Sequence, residues 1–279
     1  MNKQPRRWTL SEQEWETVIE ARRQPMTAKG ALRLLARSPR LVPEVARDLL
    51  QSAKAGIWQS SALVWVLDSE RVRQLVPDAA RGIGFTNEAP FMAVLQPLLD
   101  DSQRVLDIGG GDGRISRQVA PQVRTIVCSD VAPTMVSEAA ENLADRPNAS
   151  AALTSGATLQ PLPDASFDLA FAQGVLSYLE VNQGLALLSD TARVLAPGGT
   201  LVVNAYTIDR PEWAAEQLEG VRDAARRGRF TAGLKRSYVE AQLEGMVKAA
   251  GFTILSTGYG TDNPTERIPY IVVGRKLDA

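Results

Sequence analysis

Apolar and polar positions follow two rhythms along this chain, and the change comes near residue 103. Before it, apolar residues recur at helical spacing. Val42, Val45, Ala46, Leu49 and Leu50 form an i, i+3, i+4, i+7, i+8 stripe behind Pro43, the face of a short amphipathic helix entered at proline. Thr9 with Glu12 and Ser11 with Glu14 are nested Ser/Thr-x-x-Glu capping boxes, and Phe91, Val94, Leu95 and Leu98 make a further apolar face. The first hundred residues therefore read as helices.

From residue 103 onward the apolar runs are short and end in turn residues: "RVLDIG", "RTIVCSD", "ASAALTS", "FDLAFAQ" and "TLVVNAY". Helical stripes lie between most of them, such as Met135, Val136, Ala139, Ala140 and Leu143, then Leu185, Leu188, Ala192 and Leu195. Runs apolar on both faces and separated by helices predict a parallel sheet covered on both sides. The end differs: a helix with the capping box Ser237-x-x-Glu240 closes on Gly251, and "FTILSTGYG" and "YIVVGRK" follow with only a loop between them. That arrangement allows an antiparallel edge pair.

Composition narrows the function. A chain of 279 residues with 44% hydrophobic residues can fill one large α/β domain plus an extension. The net charge of −1 gives no general attraction to nucleic acid or to anionic membranes. The start, "MNKQPRRWTLSEQEW", lacks the apolar stretch of a signal peptide, and the run "ALVWVL" is far short of a membrane span; a soluble, cytoplasmic protein is expected. The single cysteine, Cys128, reads as a buried strand residue. Histidine is absent, which removes the commonest general base and most transition-metal sites, so no metal is expected.

The candidate chemistry sits in "RVLDIGGGDGR", residues 104 to 114. A first parallel strand running into glycines and then a helix is where doubly wound folds bind ligands, because the backbone there lies at the carboxyl ends of the strands and carries no Cβ. Gly109 and Gly111 fit the start of the dinucleotide pattern G-x-G-x-x-G, but its third glycine falls on Arg114, where close helix-to-strand packing would be obstructed. The pattern present is Asp-x-Gly-x-Gly-x-Gly, beginning at Asp107.

With "SDVAPTMVSEA" at 129 to 139, "LPDASFDLAF" at 162 to 171 and "ARVLAPGGTLVV" at 192 to 203 in the same order, the chain from about residue 85 resembles the class I S-adenosylmethionine-dependent methyltransferases. The resemblance implies a Rossmann-like, doubly wound seven-stranded sheet in the order 3-2-1-4-5-7-6, with strand 7 antiparallel. It implies a cofactor-binding domain over 91–279, a helical extension or lid over 1–90 and a substrate-side insertion over 207–236. S-adenosylmethionine would be held by Asp107 at its ammonium, Gly109, Gly110 and Gly111 along the turn, Asp130 at the ribose hydroxyls, Val131 against adenine, and the backbone carbonyl of Gln173 at the amino group. The family often carries Gly-Asp-Ala before "LPxxxxSFD", whereas this chain has Thr154-Ser155-Gly156-Ala157-Thr158; adenine recognition would then rest on backbone groups, with Gly156 and Ala157 as candidates, or on the Ser155 hydroxyl.

The acceptor is harder to read. The Asn/Asp-Pro-Pro-Tyr box of enzymes acting on base or amide nitrogens is replaced by "AQGVLSYLE", and the fourth and fifth runs end in Gln173 and Tyr206 instead of metal-binding carboxylates. A small-molecule O-, N- or C-methyltransferase of specialised metabolism is the reading, with Tyr178, Tyr206 and Asp209 as candidate catalytic residues and Glu180 beside them. All five tryptophans fall in the extension or the insertion, and Trp58, Trp65, Phe85 and Trp213 are candidates to line an apolar acceptor pocket. A cyclase on the same fold, or a non-catalytic S-adenosylmethionine-binding protein, are the alternatives.

Overall fold

The computed structural model describes residues 88–131, 133–155, 158–226, 237–261 and 269–277. The predicted helices before residue 88, with Trp58, Trp65 and Phe85, lie outside the described residues, as do Gly156, Ala157 and the insertion from 227 to 236.

Helix α1 (Glu88–Leu95) leads through a short 3-10 turn to strand β1 (Arg104–Ile108), then α2 (Arg114–Val119), β2 (Thr125–Asp130), α3 (Pro133–Asn142) and β3 (Ala149–Leu153). The chain continues through β4 (Phe167–Ala172), α4 (Val181–Val194), β5 (Leu195–Thr207), α5 (Pro211–Arg226), β6 (Ser237–Tyr238), α6 (Glu240–Ala249), β7 (Phe252–Gly258) and β8 (Tyr270–Lys276). The sheet order is β3-β2-β1-β4-β5-β8-β7, with β6 pairing to β5 off this path. Strands β1 to β5 are parallel, and β8 runs antiparallel to β5 and β7. Without the two-residue β6, this is the expected order 3-2-1-4-5-7-6 with its antiparallel seventh strand. The extra strand exists because Tyr206 and Thr207 extend β5 far enough to pair with Ser237 and Tyr238.

The alternating register of the strands sorts the core. Val105, Leu169, Phe171, Val202, Ile271 and Val273 face α1 and α2 with Phe91, Leu95, Ile115 and Val119, while Leu106, Ala170, Leu201, Val203 and Val272 face α4 and α6 with Leu187, Leu188, Leu243 and Val247. Period two on strands between helices on both sides produces this layered core. The apolar face over 91–98 is confirmed: Phe91 and Leu95 are fully buried, and the Phe91 ring centroid lies 6.2 Å from that of Phe171. Burying such a side chain contributes about 2–3 kcal/mol. Cys128 is a buried residue of β2, as its setting predicted.

The Ser237-x-x-Glu240 capping box does not form. Pairing with β5 holds Ser237 in a strand, its Oγ donates to Gln217 Oε1 at 3.2 Å, and the residue before α6 is Val239. The Glu240 N–H is instead satisfied by Asp209 Oδ2 at 2.9 Å, reached from beyond the end of β5. A capping box does close at α4, between Glu180 and Gln183, whose Oε1 accepts the Glu180 N–H at 2.9 Å.

Candidate cofactor and acceptor site

The carboxyl ends of β1, β2, β4 and β5 lie side by side along one edge of the sheet, and the parallel register collects there the residues that end each apolar run. After β1 the chain turns through Gly109 and Gly111, at φ of +65° and +59°, a region favouring glycine. Gly110 lies directly over the Asp107–Cys128 pair, which are register partners across β1 and β2. A Cβ at Gly110 would stand 2.5 Å from Cys128 Sγ and 2.7 Å from Asp107 Oδ2, whereas at Gly111 the nearest atom, Met135 Sδ, is 4.0 Å away. The turn is thus pressed onto the strands at one glycine and open at the next.

Two carboxylates frame the turn. Asp130, at the end of β2, accepts the Gly111 N–H on Oδ2 at 3.1 Å, which ties the second strand to the glycine backbone. Asp107 is 2% exposed, and its Oδ2 accepts the Ser116 hydroxyl at 2.7 Å from α2. Burial pushes the Asp107 carboxyl up to about 7; the Ser116 hydrogen bond opposes this, and the charges of Asp130 and Asp112 add to it. Burial, and then the Asp107 charge, pushes the Cys128 thiol well above its ordinary range, so this sulfur is a neutral packing group. Three acidic groups around one turn favour a cationic ligand, whose charge relieves their mutual repulsion.

At the end of β4, Gly174 has φ of +73°, and its N–H donates to the buried Asn204 Oδ1 at 2.6 Å. Because that N–H shares a planar trans peptide with the Gln173 carbonyl, Asn204 on β5 sets the direction in which the carbonyl points. Val131 is half-buried and packs against the α4-side core. Ser155 turns its hydroxyl into its own loop, donating to the Thr158 carbonyl at 3.0 Å.

The acceptor-side candidates occupy the next two strand ends. Tyr178 closes the 3-10 turn Leu176–Tyr178 after β4, Tyr206 pairs with Ser237 and donates its N–H to Ser177 Oγ at 3.4 Å, and Asp209 takes the α6 N-terminus described above. Trp213 is 5% exposed. Its ring meets Tyr259 edge-on at 5.3 Å, Tyr259 meets Tyr270 at 5.2 Å, and the Arg210 guanidinium lies 4.7 Å over the indole. The Tyr259 hydroxyl lies 3.1 Å from Thr207 Oγ1 and donates to Glu240, and Tyr270 donates to Glu244 at 2.9 Å. Burial, then the Glu240 carboxylate, raises the Tyr259 phenol, and burial pushes Tyr270 up to about 12, so both rings are neutral donors at ordinary pH. No group of three His, Cys, Asp or Glu side chains suited to a metal occurs among the described residues.

The comparisons agree with this geometry. Residues 105–199 match a family model described as a methyltransferase domain. A demethylmenaquinone methyltransferase of Tropheryma whipplei is 36% identical over 108 residues, 39% of this chain. The chain spans 44% of that relative's length. Among solved structures, a SAM-dependent methyltransferase of Methanosarcina mazei superposes with a TM-score of 0.54 at 19% identity, covering 67% of this chain and 98% of that one. Residues 105–199 thus match a methyltransferase domain, and the fold around them is one that S-adenosylmethionine-dependent methyltransferases adopt. The [4+2]-cyclase SpnF shares the fold, with a TM-score of 0.50 at 20% identity over 68% of this chain and 81% of its own.

S-adenosylmethionine, the cofactor of the methyltransferases this chain resembles, fits the residues present. The glycine backbone is open at Gly111, a buried acid lies beneath the turn, and a second acid stands at the end of β2. Ser116, Asn204 and Tyr259 were missed by sequence reasoning. Ser116 and Asn204 do leave a trace as polar residues on buried faces, between Ile115 and Val119 and inside "TLVVNAY".

Proposed function

We propose that this protein transfers the methyl group of S-adenosylmethionine to a small-molecule acceptor, without a metal and without imidazole. The observation that carries the reading is the pairing of Asp130 with the Gly111 N–H above the buried Asp107. When bound, the cofactor supplies a methyl group activated by a sulfonium. In this reading Asp107 and the Gln173 carbonyl hold the ammonium, Asp130 accepts the ribose hydroxyls, and Val131, Ser155, Gly156 and Ala157 border the adenine. Tyr178, Tyr206 and Asp209 form the rim that orients the acceptor. Trp58, Trp65, Phe85 and Trp213, with the 1–90 extension and the 207–236 segment, cover it and exclude water. In-line placement and a dry pocket then supply much of the acceleration.

The balanced net charge favours a small molecule over nucleic acid or a membrane surface and is compatible with a cytoplasmic enzyme. No helix among the described residues is long and apolar enough to cross a membrane. Because the Tropheryma whipplei relative is named for demethylmenaquinone, a demethylmenaquinol is the first acceptor to test. The test incubates it, and a panel of phenols, amines and activated carbon acids, with cofactor labelled in the methyl group. Label in the product supports transfer. Turnover of a candidate without label supports the second reading, a cyclase, which the likeness to SpnF keeps in view. Tight cofactor binding with no conversion of any acceptor refutes the enzymatic reading in favour of a binding protein.

A further inference from the structure

Helix α2 does more than carry the chain away from the glycine turn. Its inward face presents Ile115, Ser116 and Val119, all buried. A helical serine commonly returns its hydroxyl to the backbone of its own helix. Ser116 instead crosses to β1, donating to Asp107 Oδ2 at 2.7 Å, with both residues sealed from solvent at 0% and 2% exposure. That same oxygen is the one nearest to Gly110, where an added Cβ would stand 2.7 Å away. With Oδ2 held by α2 and roofed by the turn, rotation about the Asp107 Cβ–Cγ bond is stopped, and the place of Oδ1 is set.

We propose that Ser116 is the positioning residue that orients the Asp107 carboxylate beneath the glycine turn to meet the ammonium of S-adenosylmethionine. This rests on the assignment of Asp107 to that ammonium. The surroundings give the serine its leverage. From β2 the facing groups are the neutral Cys128 thiol and the Asp130 carboxylate, from the turn Asp112, and from β4 the register partner is the apolar Phe171. Burial and the two neighbouring carboxylates oppose ionisation of Asp107, while Ser116 favours it. The Ser116 hydroxyl is the largest of the groups that favour the carboxylate a cation needs, so its loss tells near neutral pH.

The test is the dissociation constant of S-adenosylhomocysteine, which keeps the ammonium, measured by calorimetry from about pH 5.5 to pH 8.5 on the full chain and on Ser116→Ala. Loss of the hydroxyl moves the Asp107 titration upward. Affinity then falls about tenfold near pH 6, the equivalent of one pH unit, and returns to the original value near pH 8.5. The ligand's own amine titrates alike in both series, so the ratio of constants is free of it. A ratio that stays constant across the pH range means that Ser116 acts only through packing, and overturns the proposal. Where Ser116→Ala does not fold, S116T and S116V, alike in shape and differing in the hydroxyl, carry the same comparison: the Thr protein keeps the original profile and the Val protein shifts. Asp107→Asn separates the underlying assignment. Its affinity is weak and flat with pH if Asp107 holds the ammonium, and an affinity equal to that of the unaltered protein overturns that assignment itself.

Discussion

Replacing Gly110 by alanine tests whether the turn is a cradle built by close approach. The added methyl would stand 2.5 Å from Cys128 Sγ and 2.7 Å from both Asp107 Cγ and Oδ2, where unstrained contacts need about 3.5–4.0 Å. Neither neighbour is the loose end of a long side chain: both are buried, on adjacent central strands, in register with each other. The turn must therefore rise by about 1 Å. Such overpacking costs about 1–3 kcal/mol, and the upper end applies because two backbone hydrogen bonds of Gly110, to the Ser129 carbonyl and from the Gly113 N–H, both at 3.0 Å, are stretched with it. Urea denaturation should show a loss of about 3 kcal/mol. Because the rise also pulls Gly111 away from Asp130, calorimetry with S-adenosylhomocysteine should show affinity reduced at least about tenfold. Gly111→Ala is the contrast: its methyl meets nothing closer than 4.0 Å, so it carries only the left-handed backbone cost of about 1–2 kcal/mol. Adding Cys128→Ala to the Gly110 variant should recover part of the stability by removing one of the two obstructions. A Gly110→Ala protein as stable as the original, with affinity within about twofold, would refute the reasoning.

Asp130→Ala removes both the Gly111 N–H acceptor and the proposed clamp on the ribose, and calorimetry should show cofactor affinity weakened by about 2 kcal/mol, roughly thirtyfold. Asn204→Leu strips the buried Gly174 N–H of its acceptor; a stability loss of about 1–3 kcal/mol is expected in urea, together with weaker S-adenosylhomocysteine binding as the Gln173 carbonyl turns. Because burial lifts the folded-state carboxyl of Asp107 to about 7 from an ordinary 3.8, the native state holds more protons than the unfolded chain between those values. Stability without cofactor should therefore be greatest below about pH 4 on this account and fall as pH rises to above 7, by up to about 4 kcal/mol. With no histidine to titrate in the same range, Asp107→Asn should flatten most of the slope between pH 5 and pH 8, and an unchanged slope in urea melts would contradict it.

Much of the cofactor edge was legible in the chain because each signal there is local. An apolar run ending in Asp107 and three glycines can be read as a strand and a tight turn with no knowledge of distant residues, since positive φ and close approach are demands on the backbone of those residues alone. Asp130 was legible for the same reason, standing at the end of the next run. The acceptor side gave fewer signals. Trp213 was marked by its type and place, yet its surroundings are Tyr259 and Arg210 from separate parts of the chain. Asp209 was marked as a candidate catalytic residue by its place after the fifth run, but nothing local showed that its carboxylate accepts the Glu240 N–H of α6, thirty-one residues further on.

By itself the sequence determined the class of sheet, the order of its strands through a family resemblance, the glycine turn with its two acids, and the absence of imidazole chemistry. All of these but the strand order follow from periodicity and residue type within a few positions. Tertiary structure decided how the groups are held: that Gly110 presses on an Asp107–Cys128 pair, that Ser116 and not solvent meets the buried acid, that Asn204 aims the Gln173 carbonyl, and that Ser237 joins a strand instead of capping a helix. Each is a contact between separate elements of the fold, chosen by strand register and by which face of α2 turns inward. The energy of such a contact depends on distances of tenths of an ångström and on exclusion of water, neither of which is written in any short run of residues.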